Sequence, residues 1–174
     1  GSCTLVPKTI GLTERASGIK SVVERPNIVS NDEWLARLRD TFGQDVGEGA
    51  AKAVELFTSL GCDVGLTESR DSLFARIDLG GAKFSWPFFV RHTGGGRIEL
   101  RLDYLKNSAA FSADAERREA LQRLTSIKAL QVRSSDNING IPSFPVAVLR
   151  DSDVLSSFAD FARWLFSRVR KSET

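Results

Sequence analysis

Residues 73–102 read LFARIDLGGAKFSWPFFVRHTGGGRIELRL, three apolar runs of period two parted by glycine-rich turns. Leu73, Ala75, Ile77 and Leu79 alternate with Phe74, Arg76 and Asp78. Phe84, Trp86, Phe88 and Val90 alternate with Ser85, Pro87 and Phe89, and Ile98, Leu100, Leu102 and Tyr104 with Arg97, Glu99, Arg101 and Asp103. Alternation of this kind marks strands with one buried face and one solvated face. The turns then set the register. A two-residue loop at Gly80-Gly81 pairs Ile77 with Phe84 and Ala75 with Trp86; a three-residue loop at Thr93-Gly94-Gly95 pairs Val90 with Ile98 and Trp86 with Leu102. Both registers gather the core candidates on one face, so the segment predicts an antiparallel meander with Trp86 in the core. A fourth strand is expected near Cys62–Thr67.

Helical spacing flanks the meander. Ser30 and Glu33 form a capping box ahead of Trp34, Leu35 and Leu38, predicting a helix over 31–42. Ala50, Ala53, Val54, Phe57 and Leu60 repeat at helical spacing up to Gly61. A third helix is expected after Ser112 as its cap, running through Leu121 and Leu124. Residues 127–133 read as a short strand or extended link, and 134–145, dense in turn formers, as an ordered loop anchored by Ile138, Ile141 and Phe144. The last helix starts after Asp151 or Ser152 and carries Val154, Phe158, Phe161, Leu165 and Val169 on one side. Residues 1–29, broken by Pro7, Gly11, Gly18 and Pro26, read as a linker or N-terminal arm. The expected architecture is α+β, a single domain over 30–174 with helices packed on one face of a three- to five-stranded antiparallel sheet.

Composition narrows the function classes. A chain of 174 residues, 41% hydrophobic and 26% charged, is long enough for a substantial core. No apolar run reaches the ~18 residues needed to cross a bilayer, and none follows a charged start as a signal peptide does. A cytoplasmic location without membrane contact is expected. Gly1-Ser2 and the lack of any methionine read as the scar of a cleaved tag ahead of a segment from a longer protein. Cys3 and Cys62 are the only cysteines and His92 the only histidine, which leaves no zinc signature, no disulfide framework and little histidine chemistry. The net charge is only +2, yet residues 30–69 hold three basic and eight acidic side chains whereas 70–106 hold seven basic and four acidic. That asymmetry predicts a basic face suited to an anionic partner.

No catalytic constellation, metal site or cofactor is expected. Asp78 with Glu99-Leu100-Arg101 is the nearest approach to a magnesium-dependent nuclease motif, but the lysine position is taken by arginine, which cannot release a proton to activate water. The stronger candidate is the outer sheet face. There the register places Phe74, Arg76, Lys83, Phe89, Arg91, Arg97 and Arg101, mixing rings that stack on bases with cations that pair with phosphates. Arg76, Phe89, Arg91, His92, Arg97 and Arg101 are the expected nucleic-acid-binding residues.

The strand Phe74-Ala75-Arg76-Ile77-Asp78, the hairpin ending Ile98-Glu99-Leu100-Arg101-Leu102 and the helix that follows resemble the MmcQ/YjbR-like α+β accessory domains attached to bacterial DNA-processing and restriction proteins. The resemblance spans roughly 45–133 and lies in the pattern of elements. It implies a non-catalytic, DNA-contacting module fused to an effector such as a restriction or defence nuclease, and carries no functional residue across. The 134–145 loop and the terminal helix are departures from that type. A protein–protein or oligomerisation module using the aromatic terminal helix, and a magnesium-dependent nuclease, are the alternative expectations.

Overall fold

The computed structural model describes residues 30–133 and 137–172. The arm expected over 1–29 lies outside them, as do residues 134–136 of the expected loop. Two helices open the described chain, α1 (Asn31–Phe42) and α2 (Gln44–Ser59). Ser30 caps α1 by accepting from the Glu33 N–H, which satisfies one of the unpaired donors at the helix start. α2 begins six residues before the first periodic apolar residue, Ala50, and within that stretch Gly47 and Gly49 allow close approach of Arg39 and of Val146. A Cβ at Gly49 would overlap the Val146 carbonyl, and Gly49 is what allows α2 to lie against the 3-10 turn Val146–Arg150.

The sheet has five antiparallel strands in chain order: β1 (Asp63–Leu66), β2 (Ser72–Asp78), β3 (Phe84–Arg91), β4 (Arg97–Leu100) and β5 (Ser143–Pro145). The α+β class and the antiparallel sheet are those expected. The fifth strand comes from the segment read as loop, where Phe144 pairs with Ile98 and Arg133 forms an isolated bridge to Ser143. The single turn α3 (Leu102–Leu105) follows β4, and two longer helices, α4 (Asp114–Ser126) and α5 (Ser152–Lys171), complete the helical layer. α4 starts from Ala113 in place of the expected Ser112 cap, whereas Asp151 caps α5 through the N–H groups of Asp153 and Val154. Among the described residues no helix is long and apolar enough to cross a membrane.

The core lies between the sheet and the helices. Leu73, Ala75, Ile77, Phe88, Val90, Ile98, Leu100 and Phe144 line its sheet side, all nearly free of solvent. Phe88 stacks on Phe57 of α2 at 5.1 Å between ring centres and meets Phe158, Phe161 and Phe166 of α5 edge-on. Edge-to-face rings at this spacing add to the gain from burial.

The register of β2 and β3 departs from the expected one. Ala75 pairs with Phe88 and Ile77 with Ser85, so a bulge places Trp86 and Pro87 opposite Arg76 alone. The cause is Pro87. A proline in a central strand has no N–H for the ladder and is accommodated where pairing breaks. The turn is also longer than two residues, with Gly80, Gly81 and Ala82 all at positive φ between the Leu79 and Lys83 ends. The extra residue reverses the face of everything before it. Phe84 and Trp86 therefore leave the core and Ser85 enters it, whereas the pairing of Val90 with Ile98 is as expected. The expected pair of Trp86 with Leu102 does not form, because the chain turns into α3 at Leu102 and the Arg101 N–H donates to the Pro87 carbonyl.

Candidate nucleic-acid interface

The sheet face turned away from the helical layer carries a groove. Phe74 stands opposite Phe89 across β2 and β3, and the displaced Phe84 and Trp86 extend this aromatic floor toward the β2–β3 turn. Tyr104, raised by α3, closes one side edge-on to Phe89 at 6.0 Å. On the other side runs the turn after β1, held together by hydrogen bonds from Thr67 and Ser69 to the Asp71 carboxylate. Between these walls is a groove of about 980 Å³ that also takes in Glu68, Leu79, Lys83, Ser85, Asn107 and Ser108. Its size is at the upper end of ligand sites, which run to ~1,000 Å³.

Several lining groups present hydrogen-bonding atoms that the fold does not use. Trp86, Tyr104 and Asn107 line the groove, and the Trp86 Nε1, the Tyr104 hydroxyl and the Asn107 amide have no hydrogen-bond partner among the described residues. Rings for stacking and spare polar atoms at their edges suit a planar heteroaromatic ligand.

The cations of this face are mostly matched. Arg76 pairs with Asp63 and lies over the Phe84 ring at 4.5 Å. Arg91 donates to Glu99 at 2.9 Å and to the Ser72 hydroxyl at 2.9 Å, with Asp71 at 3.7 Å. Arg101 holds Asp103 through two bonds of 2.8 and 2.6 Å while its guanidinium sits 4.9 Å from the Phe89 ring centre and 4.0 Å from that of Tyr104. The hydrogen bond to Asp103 raises the Arg101 proton affinity further. Burial pushes the Asp103 carboxyl up, but the Arg101 bonds and charge together with backbone N–H groups outweigh it and hold Asp103 below the usual carboxylate range. Hydrogen bonds from Ser72, Ser69 and Thr67, along with the Arg91 charge, likewise lower Asp71 against its partial burial.

Arg97 differs. Its guanidinium donates to the hydroxyl and carbonyl of Ser143, both neutral, at 3.0 and 2.8 Å. Burial and then the nearby charge of Arg133 lower its proton affinity, against a smaller opposing effect of Glu99.

The six expected residues are thus not one cluster. Arg76, Phe89, Arg91, Arg97 and Arg101 share the outer face. His92 does not: its ring packs beside Phe42 at 5.0 Å and Trp34 at 6.3 Å, against α1, and it does not stand with the arginines. Phe89 is only 8% exposed, the floor of the groove more than a free stacking platform. Phe84, Trp86, Tyr104 and Arg133 belong to this face and are missed by sequence reasoning. Pro87 is the signal that could have moved Phe84 and Trp86 there.

The elements of the alternative readings are placed as well. Asp78 pairs with Phe84 at one end of the face and accepts from the Gly80 N–H, whereas Glu99 pairs with Phe89 across the next strand and is held by Arg91. Asp78, Glu99 and Arg101 therefore do not converge. Phe158, Phe161 and Phe166 of α5 are buried within the fold, and Trp164 lies under Arg123 and Arg168. Comparison of the chain with protein-family models, curated proteins and solved structures gives no match.

Proposed function

We propose that this domain is a non-catalytic nucleic-acid recognition module of a larger cytoplasmic bacterial protein, and that it takes an unstacked base into the aromatic groove. The observation that carries this reading is the gathering of Phe74, Phe84, Trp86, Phe89 and Tyr104 around one groove on the face away from the helices. Stacking on such rings contributes about 1–3 kcal/mol per base and tolerates any base. Most arginines on the face are matched by carboxylates, so long-range attraction to a duplex backbone is weak and the groove supplies the preference. DNA with a single-stranded or extruded base is the favoured partner. The resemblance to MmcQ/YjbR-like accessory domains supports the same assignment, and a fused restriction or defence effector would act on the DNA so marked.

Fluorescence anisotropy with labelled single-stranded and duplex oligonucleotides at low salt tests this. Single strands should bind in about the micromolar to 100-micromolar range typical of binding without base readout, and more tightly than duplex of the same length. Equal or tighter duplex binding would point to the phosphate backbone and away from the groove.

A further inference from the structure

We infer that Arg97 and Arg133 form a phosphate clamp at the β5 edge of the sheet, so that the shortest strand filling both the clamp and the aromatic groove is about three nucleotides long. This rests on the nucleic-acid reading of the groove. Phe89, Glu99 and Ser143 are successive partners across β3, β4 and β5, and Arg133 is bridged to Ser143, so the four residues form one row on the outer face. Arg97 is two residues along β4 from Glu99 and reaches Ser143 with two bonds. Unlike Arg76, Arg91 and Arg101, neither Arg97 nor Arg133 has an acidic partner among the described residues. Arg133 is exposed and its charge acts on Arg97. Glu99, which is held by Arg91, only partly offsets the Arg133 charge felt by Arg97, and a phosphate accepting from both guanidiniums removes the remaining repulsion with charge-assisted hydrogen bonds.

The row fixes the span. Neighbouring strands are about 4.8 Å apart, so Arg133 lies about 14 Å from Phe89 along the sheet. A nucleotide advances about 3.4 Å in a stacked strand and about twice that when unstacked. Two such steps join a base over Phe89 to a phosphate at the clamp, with the strand crossing the β-strands.

Thymidine monophosphate and oligothymidylates of two to six residues, whose bases stack poorly on one another, are suitable probes for amide chemical-shift titrations and anisotropy. Affinity should rise at least tenfold from one to three nucleotides and flatten afterward. In Arg133→Glu, whose side chain is exposed, and in Arg97→Ala with Arg133→Ala, that rise should vanish while mononucleotide binding stays within twofold. Each phosphate neutralised on a single strand contributes ~0.7 to the slope of log affinity against log salt, so removing both arginines, which hold one phosphate between them, should flatten that slope by about 0.7. If oligothymidylates bind and shift the groove residues but both the rise and the salt slope survive in these variants, the clamp is refuted and the groove reading stands. If no probe binds at low salt, both fail.

Discussion

Phe74 and Phe89 face each other across β2 and β3 on the side of the sheet that the helices leave uncovered. An apolar cross-strand pair on that side gains little unless something covers it. Arg101 and Tyr104 cover Phe89 from one flank, and the rest of the pair is the floor of the groove. The same sheet thus carries two aromatic faces, one committed to the core around Phe88 and one turned outward.

The two faces predict opposite responses to truncation. Phe88→Ala removes a ring with no solvent exposure and should cost about 3–5 kcal/mol. Trp86→Ala, on the groove side of the bulge, should cost about 1 kcal/mol. Denaturant midpoints of the two variants measure the difference, and an equal loss would return Trp86 to the core.

Much of this arrangement is legible in the sequence. Helix α1, the capping of α5, strand β1 and the pairing of Val90 with Ile98 follow from apolar spacing and turn chemistry, both local signals. The difference between expectation and structure begins at one place. A two-residue turn at Gly80-Gly81 makes Trp86 alternate inward, and only Pro87, as a ladder breaker, speaks against it. Because side chains alternate with period two, one extra residue exchanges the faces. The groove is illegible for a second reason: its walls, Tyr104 and the Thr67–Asp71 turn, come from segments outside β3, brought to it only by the fold. The charge pattern does place cations on the outer face, but of the carboxylates that match them only Glu99 lies in a central strand, and Asp63, Asp71 and Asp103 come from outside those strands.

Gly49→Ala tests the seat of α2. The added Cβ meets backbone at Val146 and Ala147, which cannot swing aside as a side chain could. Despite the gain in helix propensity, the variant should lose about 1–3 kcal/mol in thermal or denaturant unfolding. A gain in stability would mean that α2 and the Val146–Arg150 turn are not packed together.

His92 predicts a pH dependence. Burial, then the Arg37 charge, holds its imidazole below the usual histidine range, and its Nε2 is buried without a hydrogen-bond partner. The folded state therefore disfavours the proton. The corresponding stability is complete above the unfolded value of about 6.5 and is lost as pH falls through the lower folded value. Urea midpoints of the wild type should drop across that window, and His92→Phe should flatten the drop. An unchanged pH profile in the variant would assign it to other groups.

Cys62 should be a slow nucleophile. Burial pushes its thiol up to about 11, so little thiolate exists at neutral pH. In a Cys3→Ser background, reaction with an aromatic disulfide reagent at pH ~8 should be much slower in the folded protein than after denaturation, since the folded thiol is almost wholly protonated there. Equal rates would contradict the burial of Cys62 beside the α2–β1 junction.

Tryptophan emission during titration with a short single strand at low salt tests the central claim most directly. Trp34 is fully buried and Trp164 is held between α4 and α5, so a base entering the groove acts on Trp86. Saturable quenching should occur in the wild type and largely disappear in Trp86→Phe, whose ring preserves much of the stacking surface and the binding seen by anisotropy. Quenching that persists undiminished in Trp86→Phe, or an absence of binding to single-stranded DNA, duplex DNA and RNA alike, would contradict the assignment of the groove to a nucleic-acid base.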